Sequence, residues 1–263
     1  MTSIVVRDVH KRYRTPLGTV AALTGVSFSF AAGTLCAIVG PSGSGKSTLL
    51  ALLGGLDVAS SGEMCVGPFA LHRMSPGRRA RFRAAHVGLV FQSNNLVPVL
   101  TAAENIALPL TRLPLSRRER CIRVNALLDE LGVRDVAHHR PGELSGGQEQ
   151  RVGIARALVT EPSLVLADEP TAHLDSCTAR EVMDVVRAMN RARGTTFVFS
   201  THDILMDAMA DERIALRDGA IDVAFERRQE AWPRSSGSRS VTSPGTHVAP
   251  PSPLPPSPSA SCS

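Results

Sequence analysis

A chain of 263 residues with 43% hydrophobic content is long enough to bury a substantial core. Its formal charge of +5 is modest, and removing Arg234 and Arg239 of the acid-free C-terminal stretch leaves about +3, a weak case for a nucleic-acid surface. Five cysteines, Cys36, Cys65, Cys121, Cys177 and Cys262, are scattered without paired spacing, so neither a zinc site nor a disulfide framework is indicated.

The first chemically telling segment follows an apolar, strand-like run at 35–39 and opens a helix-like run at 48–53. Between them lies GPSGSGKS, comprising Gly40, Pro41, Ser42, Gly43, Ser44, Gly45, Lys46 and Ser47, with Thr48 next in line. Three glycines let the backbone curl with its N–H groups inward, Lys46 can reach the β- and γ-phosphates, and Ser47 offers a hydroxyl to Mg²⁺. A nucleoside triphosphate is the expected ligand. The cradle alone is shared by kinases, GTPases, helicases and transport ATPases.

Segments 87–91, 163–167 and 195–200 repeat the buried-strand pattern with helical patterns between them, the signature of an α/β sheet. Proline-punctuated helical segments fill 93–160, including the Arg-rich SRRERCIRV run, and read as a helical insertion. The charged runs 78–83 and 117–123 read as solvated helix faces. At Leu144 the chain reads LSGGQEQR, with Ser145 as N-cap of a helix whose apolar positions are Val152, Ile154, Ala155 and Leu158. Such an N-terminus suits an anion. Between 176 and 193, Val182, Val185, Val186 and Met189 follow helical spacing and Gly194 is placed to end the helix. Residues 232–263 turn to Pro and Ser with little to bury, which predicts a disordered tail, with a polyproline docking peptide at 250–258 as the alternative.

LSGGQEQR, behind the phosphate cradle and followed by SLVLADEP, resembles the signature of the ATP-binding cassette (ABC) ATPases. The resemblance spans about 4–226 and implies an α/β fold: a P-loop ATPase core with an antiparallel β subdomain and an inserted helical signature subdomain at 93–160, within one ATP-binding domain at 1–231. It implies ATP and Mg²⁺ as cofactors, with Asp168 at the metal and Glu169 facing the attacking water as general base. It also implies that Ser145, Gly146, Gly147 and Gln148 cap the γ-phosphate of ATP held by an opposing subunit. By the same resemblance Gln92 contacts Mg²⁺ and water and reports to a membrane partner, Asp175 crosses the dimer interface, and His202 contacts the γ-phosphate. Tyr13, in KRYR, falls where this family sets an aromatic ring against adenine.

Within the family, FQSNNLVPVLTAAENIALPL is similar to the branch that powers lipoprotein release, macrolide or peptide export, and the related cell-division ATPase. The implied protein is the ATP-hydrolysing subunit of a transport or mechanotransmission complex. It would act as a homodimer or with a homologous ATPase, on an integral membrane permease, with no nucleic acid expected. No stretch approaches the roughly 20 apolar residues that cross a bilayer, and the N-terminus lacks an apolar signal core. The expected location is therefore the cytoplasmic face of the membrane, held through the partner. The alternative is a soluble ABC ATPase acting on DNA or ribosomes. It is opposed by the lack of a long coiled coil, zinc cysteines or a second cassette. A non-catalytic clamp is opposed by the intact Glu169 and His202. Two departures stand out: Gln148, Glu149, Gln150 where the branch more often has the acid first, and TAHLD, which brings His173 to a loop where a Gly-Asn pair is usual.

Overall fold

The structure is a computed structural model that describes residues 3–16 and 18–222. The expected tail at 232–263, its polyproline segment, Cys262 and the domain limit at 231 lie outside the described residues. In chain order the strands and α-helices are β1 (Ile4–Thr15), β2 (Gly18–Phe30), β3 (Leu35–Val39), α1 (Lys46–Leu53), β4 (Ser61–Val66), β5 (Phe69–Ala70), α2 (Pro76–His86) and β6 (Val87–Val90). There follow α3 (Ala102–Ala107), α4 (Arg117–Glu130), α5 (Gly146–Leu158), β7 (Leu164–Ala167), α6 (Ser176–Arg193), β8 (Thr196–Thr201), α7 (Ile204–Asp207), β9 (Glu212–Arg217) and β10 (Ala220–Ile221).

Two sheets result. The antiparallel one has order β2-β1-β4-β5, and the other has order β10-β9-β3-β8-β7-β6 with β9, β3, β8, β7 and β6 parallel. β3 shows why its sequence is apolar without alternation. Leu35, Ala37 and Val39 enter a core shared with α5 and α6, whereas Cys36 and Ile38 enter a second core shared with α1 and the antiparallel sheet. A parallel strand covered on both faces has no solvent side to mark with polar residues.

The helical insertion is realised as α3, α4 and α5, and its starts are written locally in the sequence. Thr101 with Glu104, Ser116 with Glu119, and Ser145 with Gln148 each form a reciprocal capping box. The side chain of Asn105 is fully buried. It donates to the carbonyls of Val97, Leu100 and Thr101 and accepts from the Val97 N–H, which fixes the loop ahead of α3. Arg156 of α5 donates to the carbonyls of Asn94 and Asn95, both in the left-handed backbone region. The stretch after Gln92 is thus tied to the signature helix.

Strand ends differ from the sequence expectation by a residue. β6 stops at Val90, leaving Phe91 exposed; β7 starts after Ser163; and β8 begins at Thr196 and runs on to Thr201. α6 matches its expected span, with Gly194 left-handed at its end. Met183 is buried beside Val182, Val186 and Met189, while Val185 is only half-buried.

Candidate active site

Parallel strands present their C-terminal ends along one edge, and the loops leaving those ends gather the polar groups. The phosphate loop leaves β3, Gln92 follows β6, Asp168 and Glu169 follow β7, and His202 follows β8. Sequence-distant residues are therefore assembled by topology.

In the loop itself, Gly45 has φ +101 and a Cβ there would stand 2.6 Å from the Ala22 carbonyl oxygen, so neither the backbone angle nor the space admits a side chain. α1 begins directly after it. Lys46 is 5% exposed, and its ammonium donates to the Gly40 and Pro41 carbonyls at 2.9 and 3.1 Å, lying 3.7 Å from Glu169 Oε1. The Ser44 hydroxyl is buried with no hydrogen-bond partner among the described residues. Ser47 is exposed in the first turn of α1, and Ser42 and Gly43 are exposed at the tip of the loop. An orphaned hydroxyl, a cation whose hydrogen bonds go to loop carbonyls beside the Glu169 carboxylate, and a helix start free of acids fit a triphosphate.

Asp168 and Glu169 are held by a residue that sequence reasoning missed. Ser200, buried in β8, donates to Asp168 Oδ1 at 2.6 Å and accepts from the Glu169 N–H at 2.8 Å. Its only signal in the sequence is a hydroxyl within the apolar strand TFVFST. Glu169 has φ +45, a strained angle for a side-chain-bearing residue that costs about 1–3 kcal/mol and persists only where the surroundings impose it. Its carboxylate stands between Lys46 and His202, whose Nδ1 is 3.4 Å from Oε2. The exposed Gln92 follows the neighbouring strand end. The Ser47 hydroxyl, the Gln92 amide oxygen and the Asp168 carboxylate are hard oxygen donors of the kind Mg²⁺ takes.

A second cluster forms where α5 and α6 begin. Ser145 caps α5, and Gly147 is packed so closely on α6 that a Cβ would lie 2.5 Å from Thr178 Cγ2; Gly146 approaches Leu174. Asp175 caps α6: its Oδ1 accepts the N–H groups of Cys177 and Thr178, both at 3.0 Å, and its Oδ2 accepts the Thr178 hydroxyl at 2.6 Å. The bonds from Thr178, together with that from Cys177, hold this exposed carboxyl below the usual carboxylate range. Ser145, Gly146, Gly147, Gln148 and Asp175 are thereby joined in one patch, with His173 exposed in the adjoining loop.

Tyr13 stands on β1 with its ring partly exposed. Its hydroxyl donates to Asp57 Oδ2 at 2.9 Å. Lys11 and Asp57, which bracket the ring, were not singled out by sequence reasoning.

A family model described as "ABC transporter" matches residues 23–172. The chain is 39% identical over 226 residues to the lipoprotein-releasing system ATP-binding protein LolD of Colwellia psychrerythraea, covering 86% of each. It is 44% identical over 221 residues to an uncharacterized ABC transporter ATP-binding protein of Thermotoga maritima, covering 84% of this chain and 94% of that one. Among solved structures it is similar to the dimeric ATP-binding cassette MJ0796 bound to ADP and Pi, with TM-score 0.77, 38% identity, and coverage of 83% and 96%. It is also similar to cbiO1 of Clostridium perfringens, part of the ABC transporter complex cbiONQ, with TM-score 0.76, 28% identity, and coverage of 86% and 92%. With the phosphate loop, the paired acids and the signature helix arranged as described, the chain belongs to the ABC transporter family as its ATP-hydrolysing subunit.

Proposed function

We propose that two copies of this chain close head to tail around two ATP molecules and drive a membrane permease of the export or lipoprotein-release type. The observation that carries the reading is the convergence of Lys46, Asp168, Glu169 and His202 at one sheet edge, beside a second cluster of Ser145, Gly147 and Asp175 at the starts of α5 and α6. Each copy thus offers two complementary half-sites. In the closed pair the phosphate loop of one copy, residues Gly40 to Thr48, faces Ser145, Gly146, Gly147 and Gln148 of the other. The dimeric MJ0796 cassette supports this arrangement.

Within each composite site Lys46 leaves the loop carbonyls to meet the β- and γ-phosphates, and Tyr13 stacks on the adenine. Glu169, its amide held by Ser200, accepts a proton from the attacking water, and His202 contacts the γ-phosphate. Ser47, Gln92 and Asp168 would hold a Mg²⁺ ion, which would neutralise charge on the phosphates. Loss of the γ-phosphate removes the ligand that both faces share, so closure follows binding and opening follows hydrolysis.

Among the described residues no helix is long and apolar enough to cross a membrane. A separate permease would supply the spanning segments and hold this subunit peripherally at the cytoplasmic face. The exposed side chains of Gln92, Val99 and Leu108, on and beside a loop tied to α5 by Arg156, provide a surface for it. The LolD relative supports the release branch. The test is purification of tagged Glu169→Gln from mildly solubilised membranes with Mg-ATP, followed by mass spectrometry. Recovery of an integral membrane protein with a large extracytoplasmic domain is expected. Recovery of only ribosomal or nucleic-acid factors would favour the soluble alternative.

A further inference from the structure

Lys11 and Tyr13 are two residues apart on β1 and so project from the same face of the strand. The Lys11 ammonium lies 4.6 Å from the centroid of the Tyr13 ring, within cation–π range. It also donates to Asp57 Oδ1 at 2.7 Å and to the Val58 carbonyl at 2.8 Å. With three donors, the ammonium has each of them engaged by the carboxylate, the carbonyl and the ring face. Lys11 is only 8% exposed, an uncommon state for a lysine that demands such full pairing.

Asp57 completes the arrangement. Its Oδ1 accepts the Val58 N–H at 2.7 Å as well as Lys11, and its Oδ2 accepts the Tyr13 hydroxyl at 2.9 Å. Burial pushes the Asp57 carboxyl up, but the bonds from Lys11, Val58 and Tyr13 outweigh it and hold the group below its usual range. The turn that carries Asp57 is anchored to α1 by the Asp57 N–H bond to the Ala51 carbonyl. One face of the Tyr13 ring is therefore backed by a cation and its hydroxyl is pinned to the turn that follows α1. The ring remains 37% exposed, next to the 53% exposed Val20 that pairs with it across the hairpin.

We propose that Lys11 and Asp57 are positioning residues that hold the Tyr13 ring as a preformed stacking platform for the nucleobase of the bound nucleotide. The proposal rests on the reading of Tyr13 as the nucleobase contact. A tyrosine on an exposed hairpin would otherwise lose rotamer freedom when a base stacks on it, and a ring ordered beforehand avoids that cost. The brace acts on the base alone, because Lys11 is committed to Asp57, Val58 and the ring rather than to phosphate.

That separation supplies the test. Calorimetric affinities of the full chain are measured for Mg-ATP and for Mg-tripolyphosphate, which lacks a base, in wild type, Lys11→Met, Asp57→Asn, Tyr13→Phe and Tyr13→Ala. Lys11→Met and Asp57→Asn are expected to weaken ATP about fivefold to tenfold while leaving tripolyphosphate within about twofold. Tyr13→Phe, which leaves the Lys11–Asp57 pair in place and drops only the hydroxyl tie, gives a smaller loss confined to ATP and guards against misfolding of the other two. Equal weakening of both ligands would overturn the proposal in favour of a structural role at α1. Unchanged ATP affinity in the brace variants, with a loss in Tyr13→Ala, would overturn the brace and leave the platform standing. Unchanged ATP affinity in Tyr13→Ala would remove the platform itself.

Discussion

The Glu169 carboxylate lies 3.7 Å from the Lys46 ammonium, so the acid that follows β7 and the lysine that opens α1 face the same space. In the proposed cycle a triphosphate entering the loop would separate them, Lys46 pairing with phosphate and Glu169 being left to water. Glu169→Gln keeps the shape of the site and removes the proposed base. Its turnover is expected to fall by about 10²–10⁴-fold, the range for loss of a general base, while ATP still binds. Phosphate release and nucleotide affinity measured together check this; unimpaired turnover would remove Glu169 from its role.

Ser200→Ala deletes the bond to Asp168 Oδ1 and the acceptor for the Glu169 N–H. Loss of a group that orients ligands of this kind costs about 10–100-fold in activity. The expected signature is reduced turnover with a raised Mg²⁺ requirement and an unchanged circular dichroism spectrum.

Gly147→Ala sets a methyl group 2.5 Å from Thr178 Cγ2, and overpacking of this sort costs about 1–3 kcal/mol. Turnover and thermal stability should both drop. Thr178→Ser removes that methyl and keeps the hydroxyl that Asp175 accepts, so the double variant should recover both quantities. No recovery would mean that Gly147 is needed for contact with ligand rather than for packing on α6.

Glu212 at the start of β9 carries a buried Oε2 without a hydrogen-bond partner among the described residues. Burial, and then the charge of Asp211, raises its carboxyl above the usual range. A raised acid favours the folded state while protonated and loses that contribution as pH climbs from the unfolded value through the folded one. Glu212→Gln should therefore raise the Tm at pH 7, with the gain shrinking as pH falls toward the carboxylate range. Melting curves at several pH values decide it.

Much of this site is legible in the sequence because its parts are contiguous words. The phosphate loop, the signature segment and the acidic strand end each carry their chemistry within eight residues, and the capping boxes of α3, α4 and α5 can be read directly. What escapes are partnerships that only the fold creates. Ser200 meets Asp168 because β7 and β8 are neighbours, and Lys11 reaches Asp57 because the hairpin lies over the turn after α1. In sequence Lys11 is one of several cations in KRYR, with nothing local to mark it as buried. Strand ends shift by a residue for a related reason: pairing partners, not composition, end β6 at Val90.

A composite site shared by two copies requires that ATP bring two chains together. Light scattering coupled to size exclusion on Glu169→Gln measures it, with and without Mg-ATP. The prediction is a shift from one 27.9 kDa chain to twice that mass when ATP is present, abolished by adding Ser145→Arg to the same chain. A single-chain mass at saturating ATP, or a dimer indifferent to Ser145→Arg, would contradict it.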